Sequence, residues 1–201
     1  MGVAERKQRH KEQVKAAILE KAWQIATTEG WQTLSIRKIA DAIEYSIPVI
    51  YTHFENKEAI LFEFTRKGFS ILSERLKEAK ESRQESCQQL DAIAKAYFKF
   101  AFGNKEYYQL MFGLGMPPCE TVSRVAEMKE FSDVIISVIQ SAIQGSKNPD
   151  ADAFLKFHAY WSILHGQVSL QMMNNNGNVS NDLKEKILED SIAGFIKALV
   201  S

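Results

Sequence analysis

Turn-forming residues are scarce in this sequence of 201 residues, which contains four prolines and ten glycines. An all-β chain needs many turns, and turns depend on these two residues, so the composition argues against that class. Apolar residues make up 45% and charged residues 25%, values that are typical of a globular protein. The hydrophobic periodicity is helical, with no strand-period segment and no internal repeat, and it predicts an all-α fold of about nine helices.

Long apolar runs are also missing. The longest run is a handful of residues, whereas a membrane helix needs about 20. The first residues are charged and no apolar segment follows them, so we expect no export signal. The two cysteines, Cys87 and Cys119, are too few for a disulfide framework or a cysteine-based zinc site. We therefore expect no membrane association, a reducing cytoplasmic location, no metal and no cofactor.

The charges are balanced overall but not locally. The chain has 25 basic and 25 acidic residues. Its first fifteen residues hold two acidic side chains and five basic ones, Arg6, Lys7, Arg9, Lys11 and Lys15. A basic segment attached to a neutral body indicates a local contact with a polyanion.

Residues 33–57 predict a helix-turn-helix. Ser35 can cap a helix that runs to about Ile43, and after a turn of three residues Ser46 can cap the next helix. Pro48 falls in the first turn of that second helix, where its missing N–H costs no hydrogen bond. The first helix of such a pair supports the second, whose exposed face fits a major groove about 12 Å wide.

The second helix of this pair is predicted to be apolar on both sides. Ile50 and Phe54 are four residues apart and should pack inward. The outward residues are then Ile47, Pro48, Val49, Thr52 and His53. An exposed apolar surface favours a partner, and the methyl groups of thymine and the sugar–phosphate wall would supply one.

Polar side chains that could anchor phosphates flank the same helix. They are Thr33, Ser35, Arg37, Tyr51, His53 and Lys57. Lys57 opens a further helix, whose first N–H groups and positive dipole end attract anions. Arg37 could reach either a phosphate, which positions the protein, or a base edge, which selects the sequence.

The same segment resembles the DNA-binding head of the TetR family of transcriptional regulators. The matching stretches are TLSIRKIA from Thr33, SIPVIYTHF from Ser46 and NKEAIL from Asn56, together with the long first helix and Gly30. The resemblance implies DNA contact by Arg37, Ile47, Pro48, Val49, Tyr51, Thr52, His53 and Lys57. The chain departs from the family at Glu44, where glycine is usual, and a residue with a Cβ atom is strained at positive φ.

Large aromatic residues are concentrated between residues 97 and 161, beyond what one helical layer needs. This concentration is typical of a small-molecule site, and a plain aromatic core is the alternative for any one residue. The candidate ligand-binding residues are Phe98, Phe102, Tyr107, Met111, Phe112, Phe154, His158, Trp161 and His165. The stretches 107–113 and 157–166 also resemble the C-terminal domain of a TetR subgroup with a Trp-x-x-x-His-Gly sequence, which implies a ligand-responsive dimerisation domain.

The last two predicted helices are each apolar on two sides. Their candidate interface residues are Ala159, Ile163, Gly166, Leu170, Leu188, Ile192, Phe195 and Leu199. A helix that is apolar on two sides must be buried on two sides. In so short a chain a second copy can cover one side in a two-fold four-helix interface, unless the chain satisfies both sides itself.

Catalysis is not expected. His158 and His165 lie two helical turns apart, about 10.5 Å, and cannot chelate one ion. The sequence contains no phosphate loop, nucleophile elbow or zinc-protease motif.

The sequence therefore predicts a homodimeric, DNA-binding transcriptional regulator. Residues 1–56 would form the helix-turn-helix domain, and residues 57–201 would form a helical ligand-binding and dimerisation domain. We expect a repressor that binds a near-palindromic duplex operator and responds to a small hydrophobic or aromatic effector. The alternative is a helical small-molecule-binding or interaction module without DNA activity.

Overall fold

The predicted all-α fold is confirmed. The computed structural model describes residues 2–113, 126–173 and 180–201, and within them it has nine α-helices, one 3₁₀ turn at Trp31–Thr33 and no strand. The helices are α1 (Val3–Glu29), α2 (Ile36–Ala42), α3 (Ile47–Tyr51), α4 (Lys57–Glu81), α5 (Ser86–Gly103), α6 (Lys105–Met111), α7 (Ala126–Gln144), α8 (Ala153–Met173) and α9 (Asn181–Val200). None of these helices is both long enough and apolar enough to cross a membrane.

Two predictions lie outside the described residues. The first is the end of the helix after residue 112, at Gly115, Pro117 and Pro118, together with the start of the next helix at Glu120. Cys119 also lies in this range. The second is the asparagine-rich loop at residues 174–178.

The chain forms two compact units. The described residues of the first are 2–68 and 106–113, and those of the second are 69–105, 126–173 and 180–201. The first unit therefore contains α1, α2, α3, the first part of α4 and α6. The predicted division after residue 56 stays a prediction.

Helix α1 begins earlier than its hydrophobic pattern indicates. The helix begins at Val3, although its residues 3–13 are all exposed. The buried residues begin only at Val14, so no apolar period marks the first turns. Polar contacts hold those turns instead, since the Gly2 amide donates to Glu5 at 2.9 Å and Gln8 donates to Glu12 at 2.8 Å.

An aromatic cluster organises the first unit. The rings of Trp23 and Tyr107 stack with centroids 4.2 Å apart, and Phe64 and Trp31 pack against each other at 5.3 Å. The indole N–H of Trp31 also donates to the carbonyl of Glu106 at 2.9 Å. These contacts attach α6 to α1 and to the 3₁₀ turn, and the turn packs on α4 within this unit.

The second unit has a conventional apolar core. Its largest fully buried side chains include Phe69, Tyr97, Phe100, Phe131 and Tyr160. The hydroxyl of Tyr160 donates to the carbonyl of Leu90 at 2.5 Å, so this buried polar group is satisfied. Burial raises the pKa of Tyr160 well above its usual value, and the group stays neutral.

Glycine at position 44 should stabilise the first unit. Glu44 has a φ of 58°, the left-handed region that side chains with a Cβ atom disfavour. We expect Glu44→Gly to raise the free energy of unfolding in urea by about 0.5–1 kcal/mol. Glu44→Gln keeps the Cβ atom and removes the charge. An equal rise in the free energy of unfolding in that variant would show that the charge of Glu44, and not its positive φ, causes the effect.

Candidate functional site

Helices α2 and α3 form the predicted helix-turn-helix. The Ser35 hydroxyl accepts a hydrogen bond from the Lys38 amide at 3.2 Å, which confirms the predicted cap of α2. Ser46 occupies the cap position of α3 in an extended conformation, but its hydroxyl makes no capping hydrogen bond. That part of the prediction is wrong, because the Val49 amide bonds instead to the backbone carbonyl of Ser46 at 2.9 Å.

The two sides of α3 are as the pattern predicts. Ile50 is fully buried and Phe54 is 4% exposed. On the other side Ile47 is 39% exposed and Tyr51 is 53% exposed. The remaining outward candidates are wholly or partly exposed: Pro48, Val49, Thr52 and His53. An apolar and aromatic strip on α3 is therefore free to meet a partner, and its contact with DNA stays a prediction.

The polar side chains before and after α3 in the sequence differ in their contacts. The side chain of Arg37 is 82% exposed and only loosely paired with Asp41 at 3.9 Å. The hydroxyl of Thr33 donates to the carbonyl of Gly30 at 2.9 Å, and that of Thr52 donates to the carbonyl of Val49 at 2.7 Å. Both hydroxyls keep their oxygen lone pairs and remain exposed.

Lys57 stands at the first turn of α4. The side-chain oxygen of Asn56 caps this helix by accepting from the Ala59 amide at 2.8 Å. The ammonium of Lys57 donates to the carbonyl of Trp31 at 3.4 Å, so its side chain has a fixed direction. A cation beside the positive end of a helix dipole suits an anion as ligand.

Two features of this surface escape the sequence analysis. Tyr45, in the turn before α3, is 40% exposed, and an aromatic residue in a polar turn is the signal that could have identified it. Burial lowers the pKa of His53, and the positive charges of Lys11, Lys15 and His10 lower that pKa further. The basic side of α1 therefore lies near the end of α3, which periodicity alone does not reveal.

The candidate ligand-binding residues are divided between the two units. Tyr107, Met111 and Phe112 belong to the first unit. Tyr107 stacks on Trp23, Met111 is fully buried, and the ring of Phe112 lies 4.7 Å from that of Tyr108. These three side chains serve the packing of α6, and the other six candidates belong to the second unit.

Four of those six lie along one side of α8. Phe154 is 61% exposed, and its ring meets that of His158 at 4.5 Å. The indole N–H of Trp161 donates to the hydroxyl of Tyr97 at 3.3 Å. Burial lowers the pKa of His165, so this imidazole is neutral at physiological pH. In the described part of the chain no group of three or more His, Cys, Asp or Glu residues could hold a metal ion.

The last two candidates line a groove of about 630 Å³ between α5, α8 and α9. Phe98 and Phe102 form its aromatic wall, with rings 6.0 Å apart, and Leu188 lies opposite on α9. The other lining residues are Lys95, Lys99, Gln171, Lys184, Glu185 and Glu189. The groove therefore combines an apolar wall with a charged rim, and its volume is that of a small-molecule site.

Two of the lysines at this rim have no carboxylate partner among the described residues. Lys95 is held by Asp91 at 3.1 Å and by Glu189 at 3.5 Å. The hydrogen bond to Asp91 raises the pKa of Lys95, and this cation is already neutralised. Lys99 and Lys184 form no such pair in the described ranges and can meet an anionic group.

The candidate dimer residues differ in exposure. Leu188, Ile192 and Leu199 are 1–5% exposed within the single chain, so little of their surface could reach a second chain. The rest of the second unit already covers them, which argues against an interface role, and that role stays a prediction. Phe195 is partly exposed and its ring packs on Tyr160 at 5.2 Å.

Helix α8 has an apolar strip whose residues are exposed or partly exposed. At 100° per residue, Ala159, Gly166 and Leu170 project from the side opposite the buried Leu164. Leu170 is 60% exposed, Ala159 is exposed, and Gly166 and Ile163 are partly exposed. The strip continues to Leu155 and Met173, which are 63% and 72% exposed. The exposed side of α9 carries Leu183, Ile187, Gly194 and Ala198.

Family comparisons cover both parts of the chain. The profile described as "Bacterial regulatory proteins, tetR family" matches residues 18–64, which include α2 and α3. The profile described as "Tetracyclin repressor-like, C-terminal domain" matches residues 90–195, which is more than half of the chain.

Individual relatives are more distant. The transcriptional activator FasR of Mycolicibacterium smegmatis is 25% identical over 95 residues, 47% of this chain and 43% of that protein. A Rhodococcus sp. RHA1 protein of unknown function has a TM-score of 0.76 at 21% identity, covering 93% of this chain and 95% of that one. The regulator FadR of Bacillus subtilis, solved with stearoyl-CoA, has a TM-score of 0.68 at 18% identity, covering 92% and 97%. At these identities the solved structures show a shared fold.

Proposed function

Because the chain belongs to the TetR family of bacterial regulatory proteins, we propose that it is a transcriptional repressor whose α3 enters the major groove of its operator. The observation that carries this proposal is the two-sided α3, with Ile50 and Phe54 buried and Ile47 and Tyr51 exposed. An exposed apolar strip is unfavourable in water and suits the methyl groups of thymine. Arg37 on α2 and Lys57 at the start of α4 would fix the register of the strip on the phosphates.

The operator is proposed to be near-palindromic, because two copies of the chain would bind it together. The exposed strip of α8 from Leu155 to Met173, with small residues at Ala159 and Gly166, allows close approach of a second helix. A two-fold pair of heads would contact half-sites one helical turn, about 34–36 Å, or a multiple of that distance apart.

The effector is proposed to be a small hydrophobic molecule with an anionic group, bound in the groove between α5, α8 and α9. Phe98, Phe102 and Leu188 would cover the apolar part, and Lys99 and Lys184 would pair with the anion. A long-chain acyl-CoA has both parts, and the related FadR of Bacillus subtilis has been solved with one. The effector would release DNA only if it binds the DNA-free arrangement more tightly.

The DNA-binding proposal predicts two different kinds of mutational effect. On duplexes selected from a random pool, Lys57→Gln should weaken binding to all sequences alike and reduce the slope of log affinity against log salt by about 0.9 per chain. Ile47→Ala should change the difference in binding free energy between preferred and other duplexes by about 1 kcal/mol, because it removes apolar base contacts. Fluorescence anisotropy at several salt concentrations measures both.

The matched control for that titration is Lys67→Gln. This exposed lysine of α4 belongs to the same unit and is not among the candidate anchors. Equal losses for Lys57→Gln and Lys67→Gln would contradict specific anchoring at α4. A wild-type chain that binds no duplex at any salt concentration would support the interaction-module alternative.

Self-association should depend on the open strip of α8. Leu170→Glu should weaken the dimer by about two orders of magnitude, since an unpaired charge in a buried interface costs about 3 kcal/mol. Phe154→Glu places the same charge at an equally exposed residue on another side of α8, 61% against 60%, and should leave the dimer intact. Analytical ultracentrifugation distinguishes the two, and a wild-type monomer at micromolar concentration would refute the interface.

Stearoyl-CoA should lower the affinity of the protein for its operator, whereas coenzyme A alone should not. Lys99→Gln should raise the concentration needed for half-release about fivefold to tenfold, because a charge-assisted contact contributes about 1–1.5 kcal/mol. Lys147→Gln removes an exposed lysine of the same unit away from the groove and should leave that concentration unchanged. Tighter operator binding with stearoyl-CoA would contradict a releasing effector.

A further inference from the structure

The inward side of α1 changes from apolar to basic along its length. Val14 and Ile18 are buried on this side. Lys7 precedes Val14 by seven residues and Lys11 precedes Ile18 by seven, so each lysine projects from nearly the same side as a buried residue. Both lysines lie in the exposed first turns of the helix. The side of α1 that is buried at Val14 and Ile18 is therefore basic and exposed nearer the N-terminus of the helix.

Contacts of Lys15 show what this side faces. The Lys15 ammonium lies 5.4 Å from the ring centroid of Phe54, just after α3, and 2.9 Å from a carboxylate oxygen of Glu63 on α4. Lys11 is one turn before Lys15 and Lys7 is one turn before Lys11, so the three form a row along the helix. Burial lowers the pKa of His53, and the positive charge of Lys11 lowers that pKa further. His53 follows the exposed strip of α3 directly in the sequence.

The two outer lysines of this row differ from Lys15 in their contacts. Lys15 is satisfied by Glu63 and Phe54. Lys7 and Lys11 have no carboxylate partner among the described residues, and their side chains are in water. A row of free ammonium groups that continues a candidate DNA surface complements the charge of a phosphate backbone.

We propose that Lys7 and Lys11 bind backbone phosphates of the duplex that α3 reads, outside the base pairs that α3 contacts. This inference rests on the proposed function and extends its surface to the first turns of α1. The contacts would add affinity and salt dependence without sequence preference, because phosphates carry no base information. The protected stretch of each half-site would then be longer than the part read by α3.

The test compares two double variants that remove equal charge from opposite sides of α1. Lys7→Gln with Lys11→Gln removes the two outer lysines of the row, and Arg6→Gln with Arg9→Gln removes two cations from the far side of the helix. Glutamine has nearly the helix propensity of lysine and arginine, so both variants should keep the helix, as circular dichroism can verify. Anisotropy titrations over a salt series and ethylation interference use duplexes selected by the wild-type chain.

We expect the lysine variant to lose about thirtyfold in affinity at physiological salt and about 1.8 in the salt slope per chain, for two phosphate contacts. Ethylation of the phosphates that flank each half-site should no longer reduce binding of the lysine variant, and the DNA sequence that this variant prefers should be unchanged. Equal losses in both variants, or no loss in the lysine variant, would overturn the proposal and leave the proposed function standing. A wild-type chain without DNA affinity would instead overturn both.

Discussion

The candidate DNA surface depends on the burial of two side chains. Helix α3 has five residues, far fewer than the roughly 12–15 that an isolated helix needs in water. It exists because Ile50 and Phe54 are covered by the rest of the first unit. The Lys15 ammonium beside the Phe54 ring tightens this attachment. Since the inward residues hold α3, its outward residues are free to be chosen for a partner rather than for stability.

Helix positions could be predicted from the sequence wherever an apolar period or a capping side chain marks them. Ser35 was expected at the start of α2, and its hydroxyl accepts a hydrogen bond from the Lys38 amide of that helix. The start of α1 could not be predicted, because polar pairs rather than burial hold its first turns. Ser46 shows a further limit, since the residue type indicates a cap position but not which acceptor the helix uses.

Within the candidate sites, hydrophobic periodicity predicted which residues lie on the same side of a helix. It did not predict whether that side is buried by the rest of the chain or exposed. The outward set on α3 is exposed as expected, because only one side of so short a helix can be buried. On α9 the more apolar side, with Leu188 and Ile192, proved to be core, and the less apolar side is the open one. The aromatic residues were treated as one set, yet Tyr107 packs on Trp23 whereas Trp161 bonds to Tyr97. Such partners lie far apart in sequence, and no local pattern encodes them.

The placement of the three tryptophans has an optical consequence. Trp23 and Trp31 belong to the first unit, where their rings meet edge to face at 5.8 Å, and Trp161 belongs to the second. Each unit thus carries its own intrinsic fluorophore. Replacing Trp161 would leave tryptophan emission from the first unit alone, and replacing Trp23 and Trp31 would leave tryptophan emission from the second unit alone. Cooperative melting of the two units could then be distinguished from independent melting without any attached dye.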